Sequence, residues 1–548
     1  MNLTHQEVQA QLARVKQQLR VLVGEGRADE AIELAFAMLE LLQDRNTRLT
    51  LELAQERRKR AGRRSEKIDP AQLLLMLELM GAEAVDAPTD LAATSAEDEA
   101  LDRERAALEA ATPAAPRRRP VRRRPPRTLP RDVIRHELPE AERSCGTCGA
   151  PLAVIGEDVS ELLELVPAHF RVQEHHRVKY ACGRCKDGVK TAPGPDKLIE
   201  KGLAGPGLLA HVAVSKYEDH LPLNRLSGIY ARGGVELASS TLCGWVEAVA
   251  EEVRPVVERI WEKAQASHTL QTDGSGLKVL DRDDPEGVRT GTMWCFVGDE
   301  KYVVFQYAPT GSGEDGPWKF LAGREGYLQA DAASVFDRLY NGAKAHATEV
   351  GCWAHARRKF YTLTDTDLRV AYPLKLISQL YRVEDLADRR GLDAEAREVL
   401  RRERASPILE RLDRWLQRTV LSEPPASALA KACGYSLKQW TALTEFLHDG
   451  WLPLDNNCCE RQIRSLALGR KNYLFAGSDA GAERAAILYS LLRTAALAGI
   501  DTYAYLIKLL ERLAAGWPQR RIDELLPENH VPAVQPTETA AAEPLPVG

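Results

Sequence analysis

Long apolar runs are the first thing this sequence lacks. No stretch of its 548 residues approaches the ~18 uninterrupted apolar positions that a membrane-spanning helix requires. The opening "MNLTHQEVQAQL" has no basic start followed by an apolar run, so a secretory signal is not expected and a cytoplasmic protein is. Aromatic residues are scarce, at 6%, yet 44% apolar content leaves enough material for packed cores. A disulfide framework is disfavoured, because four of the ten cysteines fall in two C-x-x-C pairs in a large, unsecreted chain, which favours metal in a reducing compartment. A single core is disfavoured too: at about 100–200 residues per domain, this length predicts three or more units. Net charge is small, −5, but unevenly spread. The acidic stretch "SAEDEALDRERAALEA" precedes an intensely basic island, "RRRPVRRRPPR", from Arg117 to Arg127.

What is present begins with heptad spacing. Leu12, Val15, Leu19 and Leu22 stand three and four apart, and the pattern returns at Ile32, Ala35, Leu39, Leu42, Asn46, Leu49 and Leu53 after a phase break at "GEGRAD". A buried Asn at such a position fixes register and strand number at some cost in stability. Residues 1–65 therefore predict a self-associating coiled coil, with an amphipathic hairpin packed on its own domain as the alternative. From about Gly81 to Pro130 the chain turns to Ala, Pro, Thr and charge without sustained periodicity, and residues 66–130 predict a flexible tether with an Arg-rich arm. Arg117, Arg118, Arg119, Arg122, Arg123 and Arg124 suit phosphate oxygens, while Pro keeps the arm extended. A solvated linker explains the same composition, and both readings stay open.

Cys145 and Cys148 in "CGTC", and Cys182 and Cys185 in "CGRC", predict two knuckles, each with a Gly that permits a tight turn. Four thiolates at this spacing close a tetrahedral shell around one structural zinc ion and leave no open position for catalysis. The strand-like, basic "HFRVQEHHRVKYAC" between them fits a zinc ribbon over residues 131–195, with His169, His175 and His176 at its surface. Residues 196–266 then predict a helix-turn-helix and a connecting helix: one helix ending near His220, a second beginning at Pro222, a turn at Gly233 and Gly234, and a third capped by Ser239 or Ser240. Ser239, Ser240 and Thr241 would stand where a recognition helix meets base edges, with Leu242, Trp245 and Val246 holding that helix on its core. An ordinary three-helix bundle satisfies the same pattern.

After Ala266 the pattern becomes β: three strands in succession, then strand–helix–strand–helix, the order of a ribonuclease H-like α/β fold. Asp273 sits in the first strand, where Gly274 and Gly276 are expected to interrupt it, and Asp331 follows the fourth. In that fold the first and fourth strands are neighbours, so the two Asp would meet. Close carboxylates are costly unless a cation neutralises them, and hard oxygen ligands select magnesium. A third carboxylate would arrive on a late helix, in "LPLDNNCCERQIR". Asp455 reads as a helix cap, Cys458 and Cys459 as packing, Glu460 as the metal-facing acid, and Arg461 and Arg464 as phosphate contacts. In "CWAHARRKF", Cys352 and His355 read as a buried Cys and a His at a helix start in preference to metal ligands. Arg357, Arg358 and Lys359 would face DNA or form a solvated basic turn.

"GRRSEKIDP", the two cysteine knuckles, "KYEDHLPLNRLSGIYARGGVELASSTLCGW", "QTDGSG", "LQADAA", "GCWAHARRKF" and "LDNNCCERQIRSLALGRKNYLFAGSDAGAERAAILYSL" together resemble the transposases of the insertion sequence 66 family, from the coiled coil to about Leu513. The resemblance implies a DDE transposase with Asp273, Asp331 and Glu460 as its catalytic triad and two catalytic magnesium ions. The core would occupy residues 267–365 and 451–513 around a helical insertion at 366–450; the tail at 514–548, rich in Ala, Pro and Glu after 527, is expected from composition to be largely disordered there. The resemblance also implies cleavage and strand transfer at terminal inverted repeats. Double-stranded DNA, a second copy of the chain through the coiled coil, and small accessory proteins of the same element would be partners, in a bacterial, nucleoid-associated setting. The sequence departs from the family pattern at Cys458 and Cys459, where a small residue is expected before the Glu, and in "AGRRSEKID", which lacks the more usual aromatic. The alternatives are a DNA-binding repressor derived from a transposase, whose mark would be a broken acidic trio, and a structure-specific nuclease without strand transfer. All three acidic positions are filled.

Overall fold

The computed structural model describes residues 16–27, 29–30, 32–36, 72–73, 76–77, 99–108, 169–180, 190–200, 202–341 and 346–530. Helix α1 (Pro206–Tyr217) starts with Pro at its first position, where the missing N–H costs nothing. It is followed by α2 (Leu223–Arg232) and α3 (Ser239–Gln265). Between α2 and α3, Gly234 holds φ +83°, a backbone state that glycine enters freely. Helix α3 is capped at Ala238, in extended backbone, and not by Ser239 or Ser240, which already belong to its first turn. Leu242, Trp245 and Val246 are buried as expected. With 27 residues, α3 is about 40 Å long, enough to pack on α1 and α2 with one part and on the sheet with another. The helix-turn-helix stretch consequently shares one hydrophobic core with the sheet.

The strands are β1 (Thr269–Leu280), β2 (Val288–Gly298), β3 (Tyr302–Ala308), β4 (Gly326–Gln329) and β5 (Ala347–Val350), in the order β3-β2-β1-β4-β5. The first three are antiparallel meanders, and β4 and β5 join parallel to β1. Strand β1 runs unbroken through Gly274 and Gly276, contrary to the expectation from their lack of side chains. The reason lies across the ladder. Gly274 faces Trp294, and a Cβ at 274 would come within 2.7 Å of that indole ring. The glycine is there to admit the ring.

Helix α4 (Trp353–Tyr361) follows β5 and leads into α5 (Ala371–Arg390), α6 (Ala394–Ser422) and α7 (Ala428–Lys438), which build a second core with Val350, Trp353 and Leu454. Its polar centre is Arg401, 1% exposed. The guanidinium donates to both carboxylate oxygens of Glu384 at 2.8 Å and to the carbonyls of Phe446, Asp449 and Leu452 at 2.7–2.8 Å. All five donors are used, and they clamp the helices to the segment that returns to the sheet. The chain then forms α8 (Asn457–Tyr473), α9 (Asp479–Leu497) and α10 (Thr502–Ala514). Helices α3 and α9 pack on β3, and α8 packs on β1 and β2.

Toward the N-terminus, helix over 16–24 gives way to a turn at residues 25–26, where Gly26 has φ +76°, and helix resumes by residue 29. The phase break in the heptads is thus a real turn. Asn46 lies outside the described residues. Within the stretch expected to be a tether, residues 99–108 are helical, and Leu101 is buried in the second core with Arg382 paired to Asp102 at 3.4 Å. A short antiparallel pair, Lys179–Tyr180 with Lys190–Thr191, flanks the CGRC stretch in sequence. Cys145, Cys148, Cys182 and Cys185, and the arm residues Arg117, Arg118, Arg119, Arg122, Arg123 and Arg124, lie outside the described residues. His169, His175 and His176 are exposed. No helix among the described residues is long and apolar enough to cross a membrane.

Candidate active site

The tetrad Leu-Gln-x-Asp occurs twice, as Leu270–Asp273 on β1 and Leu328–Asp331 at the end of β4. Parallel pairing sets the two copies in register, with Leu270 opposite Leu328 and Gln271 opposite Gln329. Side chains alternate along a strand, so Gln271 and Asp273 share a face. The two Asp therefore lie just beyond a matched pair of buried amides. Gln271 Nε2 donates to Gln329 Oε1 at 2.9 Å and to the Asp455 carbonyl at 3.0 Å, while its Oε1 accepts the Cys459 N–H at 3.2 Å. Gln329 Nε2 donates to the carbonyls of Gly351 and Pro453 at 3.1 and 2.9 Å. Between them these amides tie β1, β4, the end of β5 and the start of α8 into one knot, with no polar atom of either amide left over.

The start of α8 is fixed from the sheet as well. Asn456, fully buried at the N-cap, donates from Nδ2 to the Thr272 carbonyl at 2.9 Å and from its backbone N–H to Cys352 Sγ at 3.3 Å. Gln271 satisfies the N–H of Cys459, one of the free donors of a helix N-terminus. Asp455 does cap the helix, from one residue before the N-cap: its carboxylate accepts the Asn457 N–H at 3.0 Å, the Asn457 amide at 2.6 Å and the Tyr381 hydroxyl at 2.7 Å. Cys458 and Cys459 are buried in packing, Cys459 against Cys295, and Cys352 is a buried acceptor for the α8 N-cap.

Glu460 emerges from the first turn of this helix, opposite α4. Its Oε1 lies 3.7 Å from His355 Nε2 and its Oε2 lies 3.8 Å from Arg358, both too long for hydrogen bonds. Oε1 is buried without a hydrogen-bond partner among the described residues, and so is His355 Nδ1. Asp273 is half-buried, and this desolvation pushes its carboxyl up to about 6; the nearby charges of Asp331 and Glu460 push the same way, while the Gly274 N–H at 2.7 Å and Arg358 oppose them. Carboxylates from β1, from the end of β4 and from α8 therefore share one field. Among the described residues no three His, Cys, Asp or Glu side chains close into a metal cage. The donors nevertheless fit magnesium, a hard cation that takes one or two carboxylates and keeps water and substrate oxygens for its remaining positions. Glu460 offers an oxygen with no hydrogen bond among the described residues.

The remaining candidates separate by position. Arg461 and Arg464 are exposed on α8, and Arg461 lies close to Cys458 and Glu300. Arg358 turns toward Glu460, and Arg357 lies 5.5 Å from the Tyr361 ring. Both stand on a helix and not in a basic turn. Ser240 and Thr241 are exposed on the first turn of α3, with Ser239 half-buried. The residues that sequence reasoning missed are Gln271, Gln329 and Asn456. Their signal was the repeated Leu-Gln-x-Asp, which becomes informative only once the two strands are known to pair.

Comparison with known proteins gives the family. Residues 201–484, more than half the chain, match the model described as the transposase IS66 family. Residues 142–186 match the zinc-finger binding domain of that transposase, residues 490–527 its C-terminal element, and residues 48–134 a segment described as transposase C of IS166 homeodomain. An uncharacterized protein of Sinorhizobium fredii, y4hP, is 34% identical over 504 residues, covering 87% of this chain and 88% of its own length. Two more from the same organism are similar: y4qI, 36% identical over 72% of this chain and 75% of its own, and y4jD, 34% identical over 74% and 81%. This chain belongs to the insertion sequence 66 family of transposases.

Proposed function

We propose that this protein catalyses magnesium-dependent cleavage and strand transfer of DNA at the terminal inverted repeats of an insertion sequence, with Asp273, Asp331 and Glu460 as its acidic residues on a ribonuclease H-like sheet. The observation that carries this reading is the pairing of the strands that bear Asp273 and Asp331, with Glu460 near enough that its charge and that of Asp331 add to the burial that raises the Asp273 carboxyl to about 6. The sheet order, an antiparallel trio extended by two parallel strands, supports the fold reading. Glu460 is preferred to Asp455 because the Asp455 carboxylate is taken up by hydrogen bonds from Asn457 and Tyr381, whereas Glu460 Oε1 has no hydrogen bond among the described residues.

Magnesium held by these carboxylates would supply positive charge to the attacking and leaving oxygens of an in-line phosphoryl displacement. The chain does the rest. Gln271 and Gln329 fix the two strands whose Asp must stay adjacent, and Asn456 fixes the helix that brings Glu460. Arg358 balances the negative trio while no cation is bound. Arg464, exposed one turn beyond Glu460, contacts phosphate, and Ser240 and Thr241 meet DNA from α3. One zinc ion on Cys145, Cys148, Cys182 and Cys185 would order the ribbon; the match to the family's zinc-finger domain supports this. The arm from Arg117 to Arg124 would add sequence-independent affinity, and the heptads would pair two copies at paired DNA ends.

Purified protein, terminal-repeat DNA, magnesium and a target plasmid test the reading. Joined products are expected; binding without cleavage would favour the repressor, and nicks without joining the plain nuclease. Asp273→Asn should abolish cleavage and spare binding.

A further inference from the structure

Helix α8 does not end as helices usually do. At its C-terminus, where glycine commonly takes a positive φ, stands Leu474 with φ +63° and ψ −42°. The Phe475 N–H donates to the Tyr473 carbonyl at 2.7 Å, two residues back, which makes this the tight turn that is rare and strained in proteins. The fold holds it on both sides. The Leu474 N–H reaches the Arg470 carbonyl at 3.0 Å, and Ala476 pairs with β1, donating to Lys278 O at 2.8 Å and accepting from Leu280 N at 2.9 Å. Tyr473 is fixed by its hydroxyl against that of Tyr489, 2.5 Å away. Leu474 and Phe475 nevertheless point outward, 62% and 40% exposed. The strain thus displays two large apolar side chains that the described fold does not bury, in a position where glycine would cost less.

Their surroundings say what they meet. The exposed residues of α8 are Arg461, Arg464, Leu468, Lys471 and Asn472, a stripe at helical spacing that begins beside Glu460 and ends at the turn. The helix carries four cations and one acid. Arg464 and Lys471 make no ion pair among the described residues, and Arg470 is pinned on β1 by Ser275 Oγ at 3.0 Å. A positively charged track leading to a paired apolar tip is complementary to a polyanion with stacked apolar planes.

We propose that Leu474 and Phe475 form a wedge that enters a base step of duplex DNA lying along α8, unstacking it as apolar wedges of DNA-bending proteins do. This rests on the reading of the protein as a DNA transposase. The wedge stands 14 residues beyond Glu460, about 21 Å along the helix, so the unstacked step lies about six base pairs from the scissile phosphate at 3.4 Å per pair.

The test uses full-length protein and terminal-repeat duplexes carrying 2-aminopurine at successive positions, without cleavage-supporting metal, and compares wild type with Leu474→Gly and Phe475→Ala. Wild type should raise fluorescence several-fold at one step in that region. Leu474→Gly should keep or raise thermal stability, since it relieves the positive φ, yet flatten the signal while affinity falls less than about tenfold; Phe475→Ala should do the same without the stability gain. Unchanged fluorescence in both variants, or no enhancement in wild type that binds and cuts the DNA, overturns the wedge and leaves the transposase reading intact. Loss of self-association in the variants would assign the turn to a second copy of the chain and also overturn it. Failure of wild type to bind terminal-repeat duplexes sinks both.

Discussion

Arg401, fully buried, and Glu460, half-buried, are both charged groups that meet the same return segment, and they are treated in opposite ways. Arg401 has a partner for each of its five donors, and the carbonyls of Phe446, Asp449 and Leu452 are among them. Glu460, a few residues further on, keeps an oxygen with no hydrogen bond among the described residues and shares its field with two more carboxylates. One charge is spent on architecture, and the other is left unspent. A buried polar atom without a partner costs free energy, and the proposed function gives that open oxygen of Glu460 a use as a metal ligand.

The sharpest way to break that comparison is at the satisfied end. Arg401→Met would leave Glu384 with Arg397 alone and strip three buried carbonyls of a donor; unfolding in urea should show a loss of about 3–5 kcal/mol. A loss below 1 kcal/mol would mean the hub is ornamental. Next comes the amide knot. Gln271→Leu orphans Gln329 Oε1, the Asp455 carbonyl and the Cys459 N–H, so about 2–3 kcal/mol should go, and DNA cleavage should fall more steeply than DNA binding.

At the unsatisfied end the sign reverses. Asp273→Asn should stabilise the magnesium-free protein at pH 7.5, by about 1–2 kcal/mol. The sign follows from a carboxyl that titrates near 6 in the fold against 3.8 in the unfolded chain. Its ionisation costs stability in full above pH 6, and the cost fades as pH falls toward 3.8. The advantage of Asp273→Asn should therefore shrink across that window, and thermal unfolding from pH 4 to 8 would show it. Saturating magnesium should stabilise wild type and not the variant. The smallest effect is expected at the cap: Asp455→Asn keeps an acceptor for the Asn457 N–H and should change stability by less than about 1 kcal/mol.

How much of this was legible in the sequence follows the range of the forces involved. Strands β2 and β3 are local runs of β-branched and aromatic residues, and these anchored the strand order, and with it the neighbourhood of Asp273 and Asp331. The helix bearing Glu460 announced itself through Asp455, although the cap works from one residue earlier than the usual position. Ser239 was mistaken for a cap because helix ends blur by a residue or two. Gly274 looked like a break because its reason, the Trp294 ring, sits on another strand. Arg401 gave no sign, since three of its five bonds go to carbonyls about 45–50 residues away, which carry no side-chain signature, and its partner Glu384 lies on a different helix. Leu101 was hidden in a stretch whose composition resembles a linker.

The central claim is that the open carboxylate, and not the capped one, serves the chemistry. The direct measurement is magnesium-dependent cleavage of terminal-repeat DNA by Glu460→Gln beside Asp455→Asn, each checked for unchanged DNA binding. The account predicts that Glu460→Gln loses cleavage by at least about a thousandfold, on the scale of removing one essential group, while Asp455→Asn stays within about tenfold of wild type. Full activity in Glu460→Gln, or its loss only in Asp455→Asn, would contradict it.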